Sequence, residues 1–287
     1  MSFAWIKTHK LAVLTGAISG LTTYFVVDQR QRKAYNSWTT NWKPSECGKW
    51  DENWDHRDPK SLVKPLKADV DPESENSYNE KLQKLKPKAV RHIIMIRHGQ
   101  YYLNGKTDAE RVLTPMGKEQ ANFTGKRLNS LTLPWDLMIQ STMMRAQQTG
   151  DLIAKELGQN IKIEHCPLIE EGAPIPPEPT VGHWRPEPSQ FYQDGARIEA
   201  AFRRYFHRAD PEQQVDSYTL MVCHANVIRY FVCRALQFPP EAWLRLSLNH
   251  ASITWLSITP SGRVILRTFG DSGHIPPAFV TSSNVNK

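Results

Sequence analysis

Cysteine is scarce in this chain. Cys47, Cys166, Cys223 and Cys233 are the only four, and none forms a C-x-x-C or a zinc-like spacing. That argues against a disulfide framework or a structural zinc site and leaves reduced, mostly buried thiols. Long apolar runs are equally rare: there is one, close to the amino terminus, which excludes a multi-span membrane protein. No cluster of Lys and Arg interleaved with aromatics marks a nucleic-acid groove. The formal net charge of +7 is mild and spread over 287 residues, favouring acidic or phosphorylated partners. What is left is one substantial α/β domain with extra segments.

The single apolar run is Leu11–Val27, LAVLTGAISGLTTYFVV, about seventeen residues without a charge and just long enough to span a bilayer as a helix. It ends Tyr24-Phe25-Val26-Val27, without the small residues of a cleaved signal, and it has no polar face as a core helix would. Residues 1–28 are therefore expected to form a single membrane anchor. Positive charges flank both ends, so orientation is not legible. From 29 to 87 prolines recur (Pro44, Pro59, Pro65, Pro72, Pro87) and large aliphatics are sparse, the composition of a flexible linker. Four of the nine tryptophans nevertheless fall between Trp38 and Trp54. Trp50-Asp51-Glu52-Asn53-Trp54-Asp55 suits a docking motif with apolar anchors and a charged rim. It equally suits a patch lying on its own domain or on the membrane interface.

From residue 88 onward strands and helices alternate, which predicts a three-layer α/β/α sandwich with a mostly parallel central sheet. Arg91-His-Ile-Ile-Met-Ile-Arg-His-Gly99 reads as a strand buried on both faces that ends abruptly in Arg97-His98-Gly99. Thr114-Pro115 opens a helix running to about Leu131. Trp135–Gln140 is a second strand, ending at Ser141-Thr142, with Arg145 opening the next helix. Ile161–Cys166 is a third, followed by Glu170-Glu171. Pro174–Pro188 reads as a long loop or lid, and Asp194–Arg208 as a helix. Tyr218–Cys223 is a fourth strand, running into His224 and a helix over Asn226–Leu236. Ser252–Ile258 and Arg263–Phe269 form a closing hairpin.

Three strands thus end in polar or basic groups: Arg97-His98, Ser141 leading to Arg145, and His224. In a parallel sheet these ends share one edge, the edge at which ligands bind. Two arginines and two histidines around one point suit a dianion, because Arg offers a planar fork to phosphoryl oxygens. A neutral His98 could attack phosphorus in line, with Arg97, Arg145 and a protonated His224 spreading the charge. An alkoxide leaving group needs a proton, for which Glu170 and Glu171 are candidates, Asp108 and Glu110 weaker ones.

Arg97-His98-Gly99, Asn104, Leu113-Thr114 with Gly117, Ser141 with Arg145-Ala146 and Thr149, Glu171-Gly172, and Cys223-His224-Ala-Asn-Val-Ile-Arg229 together resemble the histidine phosphatase (phosphoglycerate mutase-like) superfamily over about residues 88–270. Within it, the segments Glu171–Ile175, His183-Trp184, Asp194–Phe202, His224–Tyr230 and Arg234–Pro240 look like a mitochondrial, membrane-anchored branch of serine/threonine protein phosphatases. The resemblance implies His98 as the phosphorylated nucleophile, Glu171 as proton donor, His224, Arg97, Arg145 and Asn104 around the phosphate, and neither metal nor cofactor. It implies phosphoprotein substrates, an inner mitochondrial membrane anchor, and a higher homo-oligomer. Activation would come as Trp50, Asp51, Asn53, Trp54 and Asp55 of one subunit brace the catalytic domain of another. Tyr101 stands where many members carry Ser or Thr, which disfavours mutase chemistry, and Ala225 where Gly is common. Asp71-Pro-Glu-Ser-Glu-Asn76 lacks the Gly and final Glu of the segment by which such relatives recruit a Kelch-type adaptor, which weighs against that partner. The competing expectations are a small-molecule phosphatase or mutase and a membrane-anchored scaffold of little activity.

Overall fold

The computed structural model describes residues 49–66, 71–158, 160–182 and 184–283. The expected anchor, Leu11–Val27, and His183 lie outside the described residues. Among those described, no helix is long and apolar enough to cross a membrane.

The chain from Trp50 onward forms one compact unit. Its elements are α1 (Pro59–Leu62), α2 (Pro72–Leu85), β1 (Arg91–Arg97), α3 (Pro115–Ser130), β2 (Leu137–Ser141), α4 (Met144–Leu157), β3 (Lys162–Cys166), α5 (Pro188–Tyr205), β4 (Ser217–Cys223), α6 (Ala225–Ala235), β5 (Ile253–Ile258) and β6 (Val264–Asp271). The N-cap chemistry is local. Thr114 accepts from the Gly117 amide at 2.9 Å with Pro115 at the first helical position, and Asp71 does the same for Ser74 ahead of Pro72. Helix α5 begins at Pro188, six residues before Asp194, because that proline takes the first-turn position.

The six strands lie in the order β3-β2-β4-β1-β5-β6. Strands β3, β2, β4 and β1 run parallel; β5 pairs antiparallel with both β1 and β6, so the sheet is mixed. Alternation along β1 divides the core. Ile93 and Met95 join the side built with α5 and α6 (Ile198, Phe202, Val227, Phe231), while Ile94 and Ile96 join the side built with α3 and α4 (Leu128, Ile153). Side chains of successive strand residues point to opposite faces, so a strand apolar at every position can only be covered on both.

The register lines up the strand ends. Arg97 pairs with Cys223, Gln140 with Val222, and Ser141 with Cys166. The residues that follow, His98 and His224, therefore leave the sheet side by side.

The segment read as a linker supplies core as well. Trp54 is 7% exposed, its ring 6.0 Å from that of Phe202, and its indole N–H donates to the Gly262 carbonyl at 2.8 Å. Trp50 packs against the same cluster. Asp55 accepts from the Arg208 amide at 2.8 Å and faces the buried Arg208 guanidinium at 3.5 Å. Asp51 and Gln237 exchange backbone–side-chain bonds of 2.8 and 2.9 Å, and the Asn53 carboxamide oxygen accepts from the Asp58 amide. Within the chain, Trp50, Asp51, Trp54 and Asp55 seat this segment against its own domain, while Asn53 ties the segment to itself through Asp58.

Candidate active site

At the carboxyl edge the backbone turns from β1 into the loop before α3 through Gly99. A Cβ there would stand 2.4 Å from the Gly117 carbonyl oxygen, and one at Gly117 would stand 2.0 Å from that of Gln100. The two glycines let the strand exit and the first turn of α3 touch, fixing the direction in which His98 emerges.

His98 is buried. Its Nδ1 lies 2.8 Å from the Gly99 carbonyl oxygen, which can only accept, so Nδ1 carries the proton and Nε2 the lone pair. The His224 ring lies 5.1 Å away, His250 5.7 Å, and the edge-on Tyr101 ring 5.2 Å. The Arg145 guanidinium sits 4.6 Å from the Tyr101 ring centre and bonds Asp108 at 3.3 Å. Arg97 donates to the Leu248 and Ser282 carbonyls at 2.6 and 3.1 Å. His224 Nε2 and Ser141 Oγ are 2.8 Å apart. The Nε atoms of Arg97, Arg145 and Arg229 and Nδ1 of His224 are buried with no hydrogen-bond partner among the described residues. Buried donors are normally satisfied, so several orphaned around one point call for a multi-oxygen anion.

Electrostatics sort the titratable groups. Burial, reinforced by His224, Arg145, Arg97 and His250, holds His98 well below the ordinary histidine range, so it is neutral. Burial and then Arg145, Arg197 and Arg97 do the same to His224. Three arginines repel the imidazolium, and only an anion could offset them. Arg97 is drawn down to about 10 by burial and remains a cation at neutral pH.

Glu171 moves the other way. Burial raises its carboxyl above the ordinary range, opposed by Arg145, by the Gly172 amide and by Arg97 and Arg229. The choice between the two glutamates is geometric: Glu170 is tied to the Thr142 hydroxyl, while Glu171 faces the arginines. Asp108 caps α4 by accepting from the Met144 amide at 2.7 Å, and Glu110 accepts from the Lys106 amide.

The structure thus brings together Arg97, His98, Arg145, Glu171 and His224. Asn104 is exposed in the turn that follows Tyr102. Three neighbours were not among the expected site residues. Arg229 lies on the first turns of α6, one turn on from Asn226, and helical periodicity carried that signal. His250 enters because the segment before β5 runs beside Arg97 and His98, the Ala251 amide meeting both their carbonyls. Tyr101 had no sequence signal beyond its unusual identity. Among the described residues, no group of three or more His, Cys, Asp or Glu could hold a metal ion.

The sequence matches the histidine phosphatase superfamily (branch 1) over residues 93–173 and 177–270. The mitochondrial serine/threonine-protein phosphatases Pgam5 of Drosophila ananassae and Drosophila pseudoobscura pseudoobscura are 56% and 57% identical to it over 275 residues, covering 94% of this chain and 95% of theirs. Among solved structures, a phosphoglycerate mutase from Plasmodium falciparum is 32% identical with a TM-score of 0.47, covering 66% of this chain and 96% of that one. A family match over more than half of the chain, joined to such identity along nearly its whole length, admits one conclusion: the chain belongs to the histidine phosphatase superfamily.

Proposed function

We propose that the protein is a mitochondrial serine/threonine protein phosphatase that works through a phosphohistidine on His98. One observation carries the chemistry: a neutral, buried imidazole locked in the Nε2-nucleophile tautomer by the Gly99 carbonyl, with Arg97 and Arg145 beside it. The activity and compartment named for the Drosophila relatives support the substrate class and the location.

Nε2 of His98 attacks phosphorus as the serine or threonine oxygen leaves. Arg97, Arg145 and His224 hold the equatorial oxygens, whose growing charge they stabilise more in the transition state than in the ground state. Protonated Glu171 gives its proton to the departing oxygen, then takes one from the water that attacks the N–P bond, releasing phosphate and restoring neutral His98.

Residues 1–28 would anchor the chain once in the inner mitochondrial membrane, with a tether leading to the catalytic unit. Trp50–Asp55 would also serve multimerisation: the seat that this segment fills on its own domain is one that the same segment of a second copy could fill.

The test is phosphate release from phosphoserine and phosphothreonine peptides by the full chain, with 3-phosphoglycerate alongside and His98→Ala as control. Peptide turnover lost in the variant is the expected result. Turnover of phosphoglycerate alone would transfer the site to small acids, and no turnover in an assembled sample would leave a scaffold.

A further inference from the structure

Directly beyond Glu171 the surface opens into an apolar cleft of about 580 Å³ between Pro174–Pro176 and one face of α5. Phe191, Tyr192, Ala196 and Tyr230 line it, and no charged side chain does. Tyr192 is 81% exposed at its mouth, and a concave, apolar cleft of this volume has the form of a ligand pocket.

The cleft is built from the elements that hold Glu171. As the backbone leaves Glu171, the Gly172 carbonyl accepts from the Asn226 side chain at 3.0 Å and the Ala173 amide donates to Asp194 at 2.9 Å. Next, Pro174 rests on α5 at Gly195, where a Cβ would meet its carbonyl oxygen at 2.4 Å. The Ile175 carbonyl then accepts from the Trp243 indole at 2.9 Å. Asn226 and Tyr230 are one turn apart on α6, so a single helix face grips the proton-donor loop and walls the cleft. The Tyr230 hydroxyl donates to Glu199 at 2.9 Å, which fixes that wall. Trp184 packs edge-on against Phe191 and Trp243, which braces the Phe191 ring that lines the cleft.

Pro174 is three residues from Glu171, at most about 10 Å of chain. An extended peptide covers that distance in about three residues. We propose that the cleft is a substrate subsite that takes an apolar side chain of Leu, Met or Phe size, carried within about three residues of the phosphoserine or phosphothreonine. It rests on the phosphatase reading above and adds a sequence preference to it. The substrate's own chain is the occupant because the cleft begins where the proton donor ends, so a phosphoresidue seated on His98 brings its neighbours there.

The experiment measures kcat/KM of the full chain on phosphoserine peptides of Gly, Ser and Ala, with one Leu moved through each flanking position. One position is expected to gain about tenfold over the peptide without Leu, the worth of roughly one half-buried leucine. Ala196→Trp, grown from an exposed position, fills the cleft and should erase that gain. Tyr192→Asp, which sets a charge at its mouth, should do the same and stands in should Ala196→Trp fail to fold. Equal turnover of all peptides overturns the subsite while leaving the phosphatase intact; no turnover of any peptide overturns both. A Leu preference that persists in the folded variants places it elsewhere and overturns the assignment. So does a loss of assembly in Ala196→Trp with the preference intact, which would give the cleft to a second copy.

Discussion

Replacing Trp54 by Ala tests the seating of the amino-terminal segment most directly. The indole is 7% exposed, packs on Phe202 and donates to the Gly262 carbonyl. Truncating a buried Trp to Ala costs about 3–5 kcal/mol in lost transfer energy and residual cavity. The lost hydrogen bond adds about 1 kcal/mol and leaves a carbonyl to find water. Arg203 bonds the Trp54 carbonyl, a backbone contact the substitution spares, so the figure should stay near about 5 kcal/mol. For a unit of this size that corresponds to a fall in Tm on the order of 10 °C. The assay is thermal and urea unfolding of wild type and variant at two protein concentrations about a hundredfold apart. A seat filled from the same chain gives a gap that is the same at both. A seat filled by a second copy makes the dilute wild type approach the variant, and phosphatase rate should then fall with assembly. Wild type and Trp54→Ala within about 1 kcal/mol of each other at both concentrations would refute the burial argument.

Glu171→Gln removes a proton donor whose carboxyl burial raises, so the alkaline fall of kcat/KM seen as the wild-type acid deprotonates should vanish. The loss in kcat should be about 10²–10⁴-fold on phosphoserine peptides and far smaller on p-nitrophenyl phosphate, whose leaving group needs no proton; equal losses on both would sink the assignment. His98, His224 and His207 all resist protonation when folded, His207 down to about 4, while the unfolded chain protonates near the ordinary 6.5. Below that value the unfolded state binds more protons, so stability should fall as pH drops from about 6.5 towards 4. A Tm that is flat between pH 7.5 and pH 5 would contradict the burial of these rings. Gly117→Ala sets a Cβ against the Gln100 backbone and should destabilise by about 1–3 kcal/mol and lower turnover, read by unfolding and peptide assays; a neutral result would show that the α3 approach is loose.

The chemistry was legible because parallel strands must be covered on both faces and so appear as unbroken apolar runs. Where such a run stops, at Arg97, Ser141 and Cys223, the sheet edge is visible in the sequence alone, and the register makes those stops level. Residues 50–87 were harder, for two different reasons. Composition averages over a window, and a segment poor in aliphatics can still be pinned by single large anchors; Trp54 and the Asp55–Arg208 pair do this. Helix α2 buries no side chain, so it has no apolar stripe to detect, and only its Asp71-Pro72 start announces it.

The site's finer features fail for a third reason, which is that they belong to the cluster and not to any residue. Nothing in the string Cys223-His224-Ala225 states whether His224 is charged. That follows from burial and from three arginines drawn from β1, α4 and α5. Two of these, Arg145 and Arg97, together with Arg229, pull Glu171 towards its anionic form while burial pushes it towards the acid, and burial prevails. Both histidines neutral, one carboxyl still protonated above its usual range and orphaned guanidinium donors between them form a set in which each state depends on the others. A phosphate dianion entering there would satisfy the donors and favour a proton on His224, so the site is completed electrostatically by its substrate.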